Sequence, residues 1–294
     1  MLKHYFLNMK IKIASRSSKL ALKQVQEFVK ISNISDYELL KITTEGDKLS
    51  SEGSVLFDKA NFVTDIEINL LNESADLAVH SAKDMPAKDT EGLEHLFFIE
   101  SSERRLSDLI IFKNNEEFKT DMILGTSSLR RKMQAKFHLN AENVISLNGN
   151  IDTRLRKLND GMYDCIVLAE AGLYRLDYLL KSNNYFKLNH ITCSGQGVLA
   201  VQWKKGSKIG ELINSSIVNK SIVELNNQIE LEKELLRKLD ANCNSAISLH
   251  ASNGILKGEI YGLENFISFN GTNIEQILKD IDQKGGLKLL HEHN

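Results

Sequence analysis

The stretch Gly125-Thr126-Ser127-Ser128-Leu129-Arg130-Arg131 follows an apolar run at residues 122–124 and opens a helical pattern of apolar residues at four-residue spacing, Leu129, Met133 and Phe137. This order predicts a strand-to-helix junction, where free backbone N–H groups and hydroxyls converge on one spot. Two arginines fall in the first helical turn, where the helix dipole disfavours cations. We therefore expect a negatively charged ligand at this junction.

The same arrangement occurs near the N-terminus. A strand-like run at residues 11–14 leads into Ser15-Arg16-Ser17-Ser18, and a helical pattern follows with apolar residues on one face, Ala21, Val25, Phe28 and Val29. For a single copy, plain helix capping by Ser17 or Ser18 is an equally good interpretation. Two copies, each with arginine beside paired serines, favour two half-sites for a molecule that carries several negative groups.

Composition restricts the classes of function. The 294 residues are 42% hydrophobic, which suffices for a sizeable core and predicts two or three domains. The net charge of −2 argues against nucleic acid as a partner, because no global basic field exists to attract it. Three widely spaced cysteines favour reduced thiols in the cytoplasm. No apolar run approaches a membrane span, and residues 1–8 are too few and too polar for a secretory signal.

Short apolar runs alternate with amphipathic helical patterns through the first two thirds of the chain, which predicts an α/β fold. The similar runs at residues 76–79 and 164–167 indicate two like domains that face each other across a cleft. Residues 48–60 are polar and serine-rich, and we expect a mobile loop there. The last third predicts a small α+β domain with a helix at 223–239, a hairpin turn at Asn253-Gly254 and a helix near 273–282.

Two short segments are candidates for chemistry. Lys83 and Asp84 follow a buried strand, at the position where α/β active sites gather, although a surface ion pair at a turn explains them equally well. Cys243 lies in a polar loop and is a candidate nucleophile or attachment point. An ordinary loop cysteine is the simpler interpretation of that residue.

The second predicted domain contains further arginines that are candidates for binding anions. Arg154 lies early in a helix after Gly149-Asn150, again at a helix end that favours anions, and Arg175 follows further along the chain. Arg156 fits a solvated helix face better. No metal-ligand cluster is evident in the sequence, so we expect no metal.

Together these segments resemble the porphobilinogen deaminase family over almost the whole chain. The most telling of them is Ala78-Val79-His80-Ser81-Ala82-Lys83-Asp84-Met85-Pro86. The others are residues 13–22, 44–47, 125–131, 149–155, 171–176, 195–197 and the loop that carries Cys243. One such motif is weak, whereas eight in the same order are highly specific.

The resemblance implies hydroxymethylbilane synthase activity, in which four porphobilinogen molecules condense stepwise with loss of ammonia and water releases linear hydroxymethylbilane. It implies two α/β domains like those of periplasmic binding proteins and a small α+β C-terminal domain. We place these domains at residues 1–99 plus 195–216, 103–193 and 217–294. The resemblance also implies a cytoplasmic monomer with a dipyrromethane cofactor joined by a thioether to Cys243.

Site residues follow from the family positions that this chain matches. Asp84 and Lys83 match catalytic positions, and Asp84 is the carboxylate expected to stabilise the cation left by departing ammonia. The positions implied for cofactor binding are Cys243, Lys83, Asp84, Thr126, Ser127, Ser128, Arg130 and Arg131. Those implied for binding of the substrate, porphobilinogen, are Arg16, Ser18, Phe62, Arg154 and Arg175.

The chain also departs from the family pattern. Asn148 stands where the family usually has an arginine, and the cysteine loop, often Gly-Gly-Cys, is Ala241-Asn242-Cys243. Because Asp84 and Cys243 are retained, we expect an active enzyme. The alternatives are a two-lobed binding or sensor protein, or a homologue that binds tetrapyrrole intermediates without turnover.

Overall fold

The computed structural model describes residues 10–51, 62–100, 103–114, 116–179, 184–241 and 245–293. The strands in this part of the chain are β1 (Ile11–Arg16), β2 (Tyr37–Ile42), β3 (Leu77–Ser81), β4 (Leu93–Phe98), β5 (Asp108–Phe112), β6 (Ile123–Gly125), β7 (Asn143–Ile145), β8 (Cys165–Ala169), β9 (Tyr185–Lys187), β10 (Leu199–Lys204), β11 (Ile247–Ser252), β12 (Ile255–Tyr261) and β13 (Phe266–Gly271).

The helices of the same described ranges are α1 (Lys19–Ser32), α2 (Glu45–Ser51), α3 (Thr64–Leu71), α4 (Leu129–Leu139), α5 (Ile151–Asn159), α6 (Glu170–Arg175), α7 (Lys208–Ile217), α8 (Lys220–Lys238), α9 (Ile274–Gln283) and α10 (Gly286–His291). A short 3-10 helix, Ala82–Asp84, follows β3. None of these helices combines the length and the apolar character that crossing a membrane requires.

Two five-stranded sheets share one arrangement. The first has the strand order β2-β1-β3-β10-β4, and the second has β7-β6-β8-β5-β9. In each sheet the first three strands are parallel and the fourth is antiparallel to its neighbours. The fourth strand follows a crossing of the chain from the other sheet, β5 after the first crossing and β10 after the second. This is the topology of periplasmic binding proteins, so the expected fold class is confirmed.

Both predicted strand-to-helix junctions form. Ser18 Oγ accepts a hydrogen bond from a backbone N–H of α1 at 3.3 Å, and Ser128 Oγ accepts one from α4 at 3.5 Å. Asn33 and Asn140, both in the left-handed conformation, end these two helices. Corresponding places in the two domains therefore have the same local structure.

The third sheet, β11-β12-β13, is antiparallel and packs against α8, α9 and α10. Asn253 and Gly254 join β11 to β12 with φ values of 51° and 73°, which is the two-residue turn that the sequence predicts. Helix α8 belongs to two cores, because Ile222 packs under the first sheet and Leu235 under the third. The first and last domains thus share one helix.

Helix α2 corrects one expectation. Residues 45–51 are helical, so the predicted loop at 48–60 is wrong for its first four residues, and residues 52–61 lie outside the described chain. The missed signal is a capping box: Asp47 N donates to Thr44 Oγ1, and Asp47 Oδ2 accepts from Thr44 N, both at 3.2 Å. A Cβ added at Gly46 would lie 2.6 Å from the Phe62 ring, so glycine allows α2 to pack closely there.

Candidate active site

A pocket opens where β1 and β3 end. Among its lining residues are four that the family resemblance implies, Arg16, Ser18, Phe62 and Asp84. The remaining lining residues in the described chain are Leu20, Ala21, Gln24, Val63, Ile66, Val79, His80 and Ser81. The first domain therefore contributes a polar pocket in which Asp84 is the acidic group.

The chain segment that returns from the second domain to β10 packs against the turn that carries Lys83 and Asp84. Gly195 has a φ of 68°, and a Cβ added there would lie 2.7 Å from Lys83 N, so only glycine fits this close contact. Burial lowers the pKa of Lys83, the charge of Asp84 opposes that shift, and the charge of Arg131 adds to it. The turn thus holds an ammonium and a carboxylate in fixed positions beside the pocket.

Arg16 is paired in a partly exposed setting. Its Nε donates to Asp47 Oδ1 and Oδ2 at 3.1 and 3.3 Å, and its guanidinium lies 4.2 Å from the centroid of the Phe62 ring. Burial opposes ionisation of Asp47, but the hydrogen bonds and charge of Arg16 hold the pKa of that carboxyl below its ordinary value. Arg16 therefore reaches the pocket between a carboxylate and an aromatic ring.

The second domain holds its two arginines on a buried carboxylate. Asp108, 2% exposed, accepts from Arg130 Nη2 at 2.9 Å, from Arg131 Nε and Nη2 at 3.0 and 2.6 Å, and from Gln196 Nε2 at 2.9 Å. Burial opposes ionisation, yet the two guanidiniums keep the pKa of Asp108 far below its ordinary value. Part of the negative charge expected at this junction thus comes from the chain itself. Asp108 was not among the predicted site residues, and its sequence signal is a lone acid at the start of a buried strand.

The hydroxyls of the second junction have local partners. Ser127 Oγ donates to Asn148 Oδ1 at 2.6 Å and accepts from Leu147 N at 3.0 Å. Thr126 Oγ1 accepts from Ser128 N at 3.2 Å. These bonds fix the loop that joins β6 to α4, and they tie it to Asn148, the position where the family usually has an arginine.

Arg154 connects the two halves of the cleft electrostatically. Its Nε donates to Gly149 O at 2.6 Å. Burial and the charge of Arg131 lower the pKa of Arg154 to about 10, and the charge of Asp84 from the first domain opposes that shift. Asp84 of the first domain and Arg131 of the second therefore both act electrostatically on Arg154.

Arg175 pairs with a residue of the first domain. Its Nε lies 3.0 and 2.9 Å from the two carboxylate oxygens of Glu27 on α1, and its Nη2 lies 3.5 Å from Gly197 O. Glu27 and Arg175 line a second crevice together with Arg105 and Tyr174. Arg175 thus joins α6 of the second domain to α1 of the first, a contact that the sequence did not reveal.

Cys243 lies outside the described residues, but the chain after it is placed. Ala246 is buried against Met133 and Tyr261. Met133 belongs to α4, the helix whose first turn binds Asp108. The segment that leads out of the cysteine loop is therefore packed against the second domain.

Glu232 on α8 ties both crossings to the third domain. Its fully buried carboxylate accepts from Arg104 Nη1 at 2.7 Å and Arg104 Nη2 at 3.1 Å in the first crossing, and from Gly195 N at 2.8 Å in the second. It also accepts from Ala251 N of β11 at 2.9 Å. One side chain thus fixes the two connecting segments relative to the third sheet.

Comparison with known proteins gives consistent matches. A family model described as porphobilinogen deaminase, dipyromethane cofactor binding domain, matches residues 11–210. The porphobilinogen deaminase of Bacillus cereus is 35% identical over 297 residues, covering 91% of this chain and 91% of the relative. That of Campylobacter fetus is 32% identical over 276 residues, covering 92% and 88%.

Solved structures that are similar include two ligand-binding proteins. An amino acid transporter substrate-binding protein from Streptococcus pneumoniae, bound to L-arginine, has a TM-score of 0.42 and 17% identity, covering 79% of this chain and 95% of that one. The GluR0 ligand-binding core with L-glutamate has a TM-score of 0.41 and 10% identity, covering 77% and 97%.

Proposed function

The chain belongs to the porphobilinogen deaminase family, and from this premise we propose the roles of its individual residues. As a member of that family it is a transferase, hydroxymethylbilane synthase, of porphyrin and heme biosynthesis. It condenses four porphobilinogen molecules head to tail on a dipyrromethane cofactor with release of ammonia. Hydrolysis then releases the linear tetrapyrrole.

The dipyrromethane cofactor suits the charge of the cleft. Its two pyrrole rings each bear an acetate and a propionate, and when bound it supplies the pyrrole carbon to which the first substrate is joined. Arg130 and Arg131 share the single carboxylate of Asp108, so these three groups together carry a net positive charge, and Arg154 adds a third cation to the second domain. We assign the thioether to Cys243. The residues assigned to holding the carboxylates and pyrrole N–H groups are Lys83, Asp84, Thr126, Ser127, Ser128, Arg130 and Arg131.

Porphobilinogen carries an acetate and a propionate of its own. We assign the contacts with these groups to Arg16 and Ser18 in the first domain and to Arg154 in the second, with Phe62 as the apolar wall under Arg16. We assign Arg175 to the substrate carboxylates as well; in the structure its guanidinium pairs with Glu27 at the contact between α1 and α6.

We assign to Asp84 the stabilisation of the cation that forms when ammonia leaves. When ammonia departs, the C–N bond breaks with its electron pair on nitrogen, and positive charge remains on the pyrrole ring and its methylene carbon. A fixed carboxylate beside the pyrrole N–H stabilises that charge more than it stabilises the neutral ring. The observation that supports this assignment is the placement of Asp84 in the pocket that Arg16 also lines.

Two measurements test these roles. The intact mass of the purified protein should exceed the sequence mass by two condensed porphobilinogen units, and Cys243→Ser should remove the excess. Asp84→Asn should lower ammonia release by about 100-fold or more, the loss typical when one charge-stabilising group is removed, with an unchanged midpoint of urea unfolding. Full activity of Asp84→Asn contradicts the assignment. Saturable porphobilinogen binding without ammonia release in the unaltered protein supports the binding-protein alternative instead.

We also propose the finer organisation expected from the sequence, with domains at residues 1–99 plus 195–216, 103–193 and 217–294 and a monomer in the cytoplasm. The packing of Ile213 and Ile217 under the first sheet supports the return of residues 195–216 to the first domain. Ile222 of α8 packs in the same core and Leu235 of α8 packs under the third sheet, so this helix connects the third domain to the first. Sedimentation of the purified protein tests the monomer.

A further inference from the structure

A row of buried polar side chains runs from the pocket into the first sheet. His80 Nε2 lies 3.1 Å from Gln202 Oε1, and Gln202 Nε2 donates to Glu67 Oε1 at 2.7 Å. Glu67 Oε2 accepts from Thr90 Oγ1 at 2.8 Å. His80, Gln202 and Glu67 are each 6% exposed or less, so water does not compete for these bonds. The row joins β3, β10 and α3.

The carboxylate at the inner end determines the direction of the bonds. Gln202 Nε2 donates to Glu67 Oε1, so Gln202 turns its NH2 group to Glu67 and its carbonyl oxygen to His80. The His80 nitrogen that meets this carbonyl must therefore carry the proton. His80 is fixed as the Nε2–H tautomer, and its Nδ1 keeps a lone pair that accepts hydrogen bonds.

The ring also remains neutral at ordinary pH. The pKa of His80 is lowered to about 4, mainly by burial. The hydrogen bond to Gln202 and the charge of Asp84 oppose the shift, and the charges of His95 and Arg16 add to it. His80 lines the same pocket as Asp84. The pocket thus offers two neighbouring acceptors of different kinds, one carboxylate and one neutral imidazole nitrogen.

Porphobilinogen presents two neighbouring donors, a pyrrole N–H and an aminomethyl ammonium, separated by three covalent bonds. On the basis of the function proposed above, we propose that His80 Nδ1 accepts a hydrogen bond from the aminomethyl ammonium while Asp84 takes the pyrrole N–H. Gln202 and Glu67 are positioning residues, because they act through the His80 ring.

A neutral acceptor suits a leaving ammonium. The C–N bond breaks with its electron pair on nitrogen, so the group enters as an ammonium and leaves as ammonia, with no proton transferred to His80. A second carboxylate at this place would stabilise the charged ammonium of the bound substrate and raise the barrier to its departure. A single hydrogen bond that the ammonium donates to a neutral ring orients the ammonium without that ionic stabilisation of the ground state.

The first test reads the tautomer directly in the free protein. With 15N-labelled histidine, long-range 1H–15N correlation spectra should show the His80 proton on Nε2, the signal being assigned by its loss in His80→Gln. Glu67→Gln lets Gln202 reverse its amide, so a mixture of tautomers is expected. Glu94→Gln is the matched control, because Glu94 accepts from buried Trp203 Nε1 at 3.1 Å between the neighbouring strands β4 and β10, and it should leave the His80 signals unchanged. A wild-type proton on Nδ1 overturns the proposal.

The second test separates the two ring nitrogens by substitution. His80→Gln keeps a donor at the Nε2 position and loses the Nδ1 acceptor, so KM for porphobilinogen should rise about 10-fold or more, the loss typical of a hydrogen bond to a charged group. His80→Asn keeps an acceptor near the Nδ1 position and loses the contact with Gln202, so KM should stay within about threefold while the urea midpoint falls. Equal KM values for wild type and His80→Gln contradict the assignment.

The enzymatic function and the role of His80 can be contradicted independently of each other. If wild-type protein releases no ammonia from porphobilinogen, the enzymatic function falls, and the 15N spectrum still decides the role of His80. Adding porphobilinogen should then shift the Nδ1 resonance of His80 in proportion to binding. A bound substrate that leaves this resonance unchanged overturns the role of His80 and leaves the enzyme assignment intact.

Discussion

The two halves of the cleft have the same serine-capped junction but hold their arginines differently. In the first domain, the side chains of Arg16 and Asp47 are 27% and 24% exposed. In the second, Arg130 and Arg131 share Asp108, and none of the three is more than 9% exposed. A pair near water exchanges partners at little cost, whereas breaking a buried pair leaves an uncompensated charge. The first half is therefore suited to exchanging carboxylates, and the second to keeping its shape.

The largest effect is expected from a substitution that breaks the buried ion pairs of the second domain. Asp108→Asn leaves two buried guanidiniums without a counter-ion, and it should lower the free energy of unfolding by about 3–5 kcal/mol. Urea unfolding followed by circular dichroism measures the loss. A loss under about 1 kcal/mol, the range of exposed pairs, would show that the two halves do not differ in the way described.

The next largest effect is expected from lowering the pH, which should destabilise the first domain through His80 and leave the Asp108 cluster of the second domain unchanged. His80 has its pKa lowered to about 4, so between pH 6.5 and pH 4 the unfolded chain binds a proton that the folded chain does not. Stability due to this residue is present above pH 6.5 and is lost as the pH falls, by about 3 kcal/mol at pH 4. The Asp108 cluster stays ionised over this range because its pKa lies far below the ordinary value.

Urea midpoints measured from pH 7 to pH 4 check this prediction. His80→Gln should have a shallower dependence than wild type, and replacement of the exposed His291 by glutamine is the matched control. Equal slopes for wild type and His80→Gln would mean that His80 is protonated in the folded protein within this range.

A smaller effect is expected in the exposed half. Asp47→Asn weakens the pair with Arg16 and the capping box at Thr44, and it should cost about 1 kcal/mol. The same urea titration should place this loss at less than half of that for Asp108→Asn. If Asp47→Asn and Asp108→Asn lose equal stability, the difference in exposure between the two ion pairs does not determine their contributions to stability.

The smallest effect concerns Asn148. Asn148→Arg adds a cation to the second half at the cost of the 2.6 Å bond from Ser127, and it should raise turnover by up to about fivefold, the value of one partly exposed ion pair. Asn148→Gln is the control, since it retains an amide without adding charge. Steady-state release of ammonia measures both variants. Unchanged or lower turnover in Asn148→Arg would refute the prediction.

Local patterns predicted the features that depend on neighbouring residues. The two junctions and the turn at Asn253-Gly254 each need only a few consecutive residues, and all three are present. The partners that complete the site come from distant segments. Asp108 meets Arg131 from 23 residues away, and Glu27 meets Arg175 from 148 residues away. No periodicity in the sequence reports such pairs, so the counter-ions of the predicted arginines appeared only in the structure.

Helix α2 was missed for a different reason. Its seven residues, Glu45–Ser51, contain a glycine and two serines. Because these residue types favour loops, the polar, serine-rich composition predicts a loop here. The capping box at Thr44 and Asp47 was visible in the sequence and was the better signal. The role of Glu232 was hidden as well, because an acid on a charged helix is ordinarily solvated and this one is fully buried.

The place of β10 between β3 and β4 has a consequence for synthesis of the chain on the ribosome. In the described sheet β4 has β10 as its neighbour, and β10 begins at Leu199, about 100 residues after β4 ends at Phe98. The strands of the second sheet, β5 to β9, are all made in that interval. The second domain is therefore complete while the first still has an unpaired edge, and nascent β4 must wait for its partner to emerge.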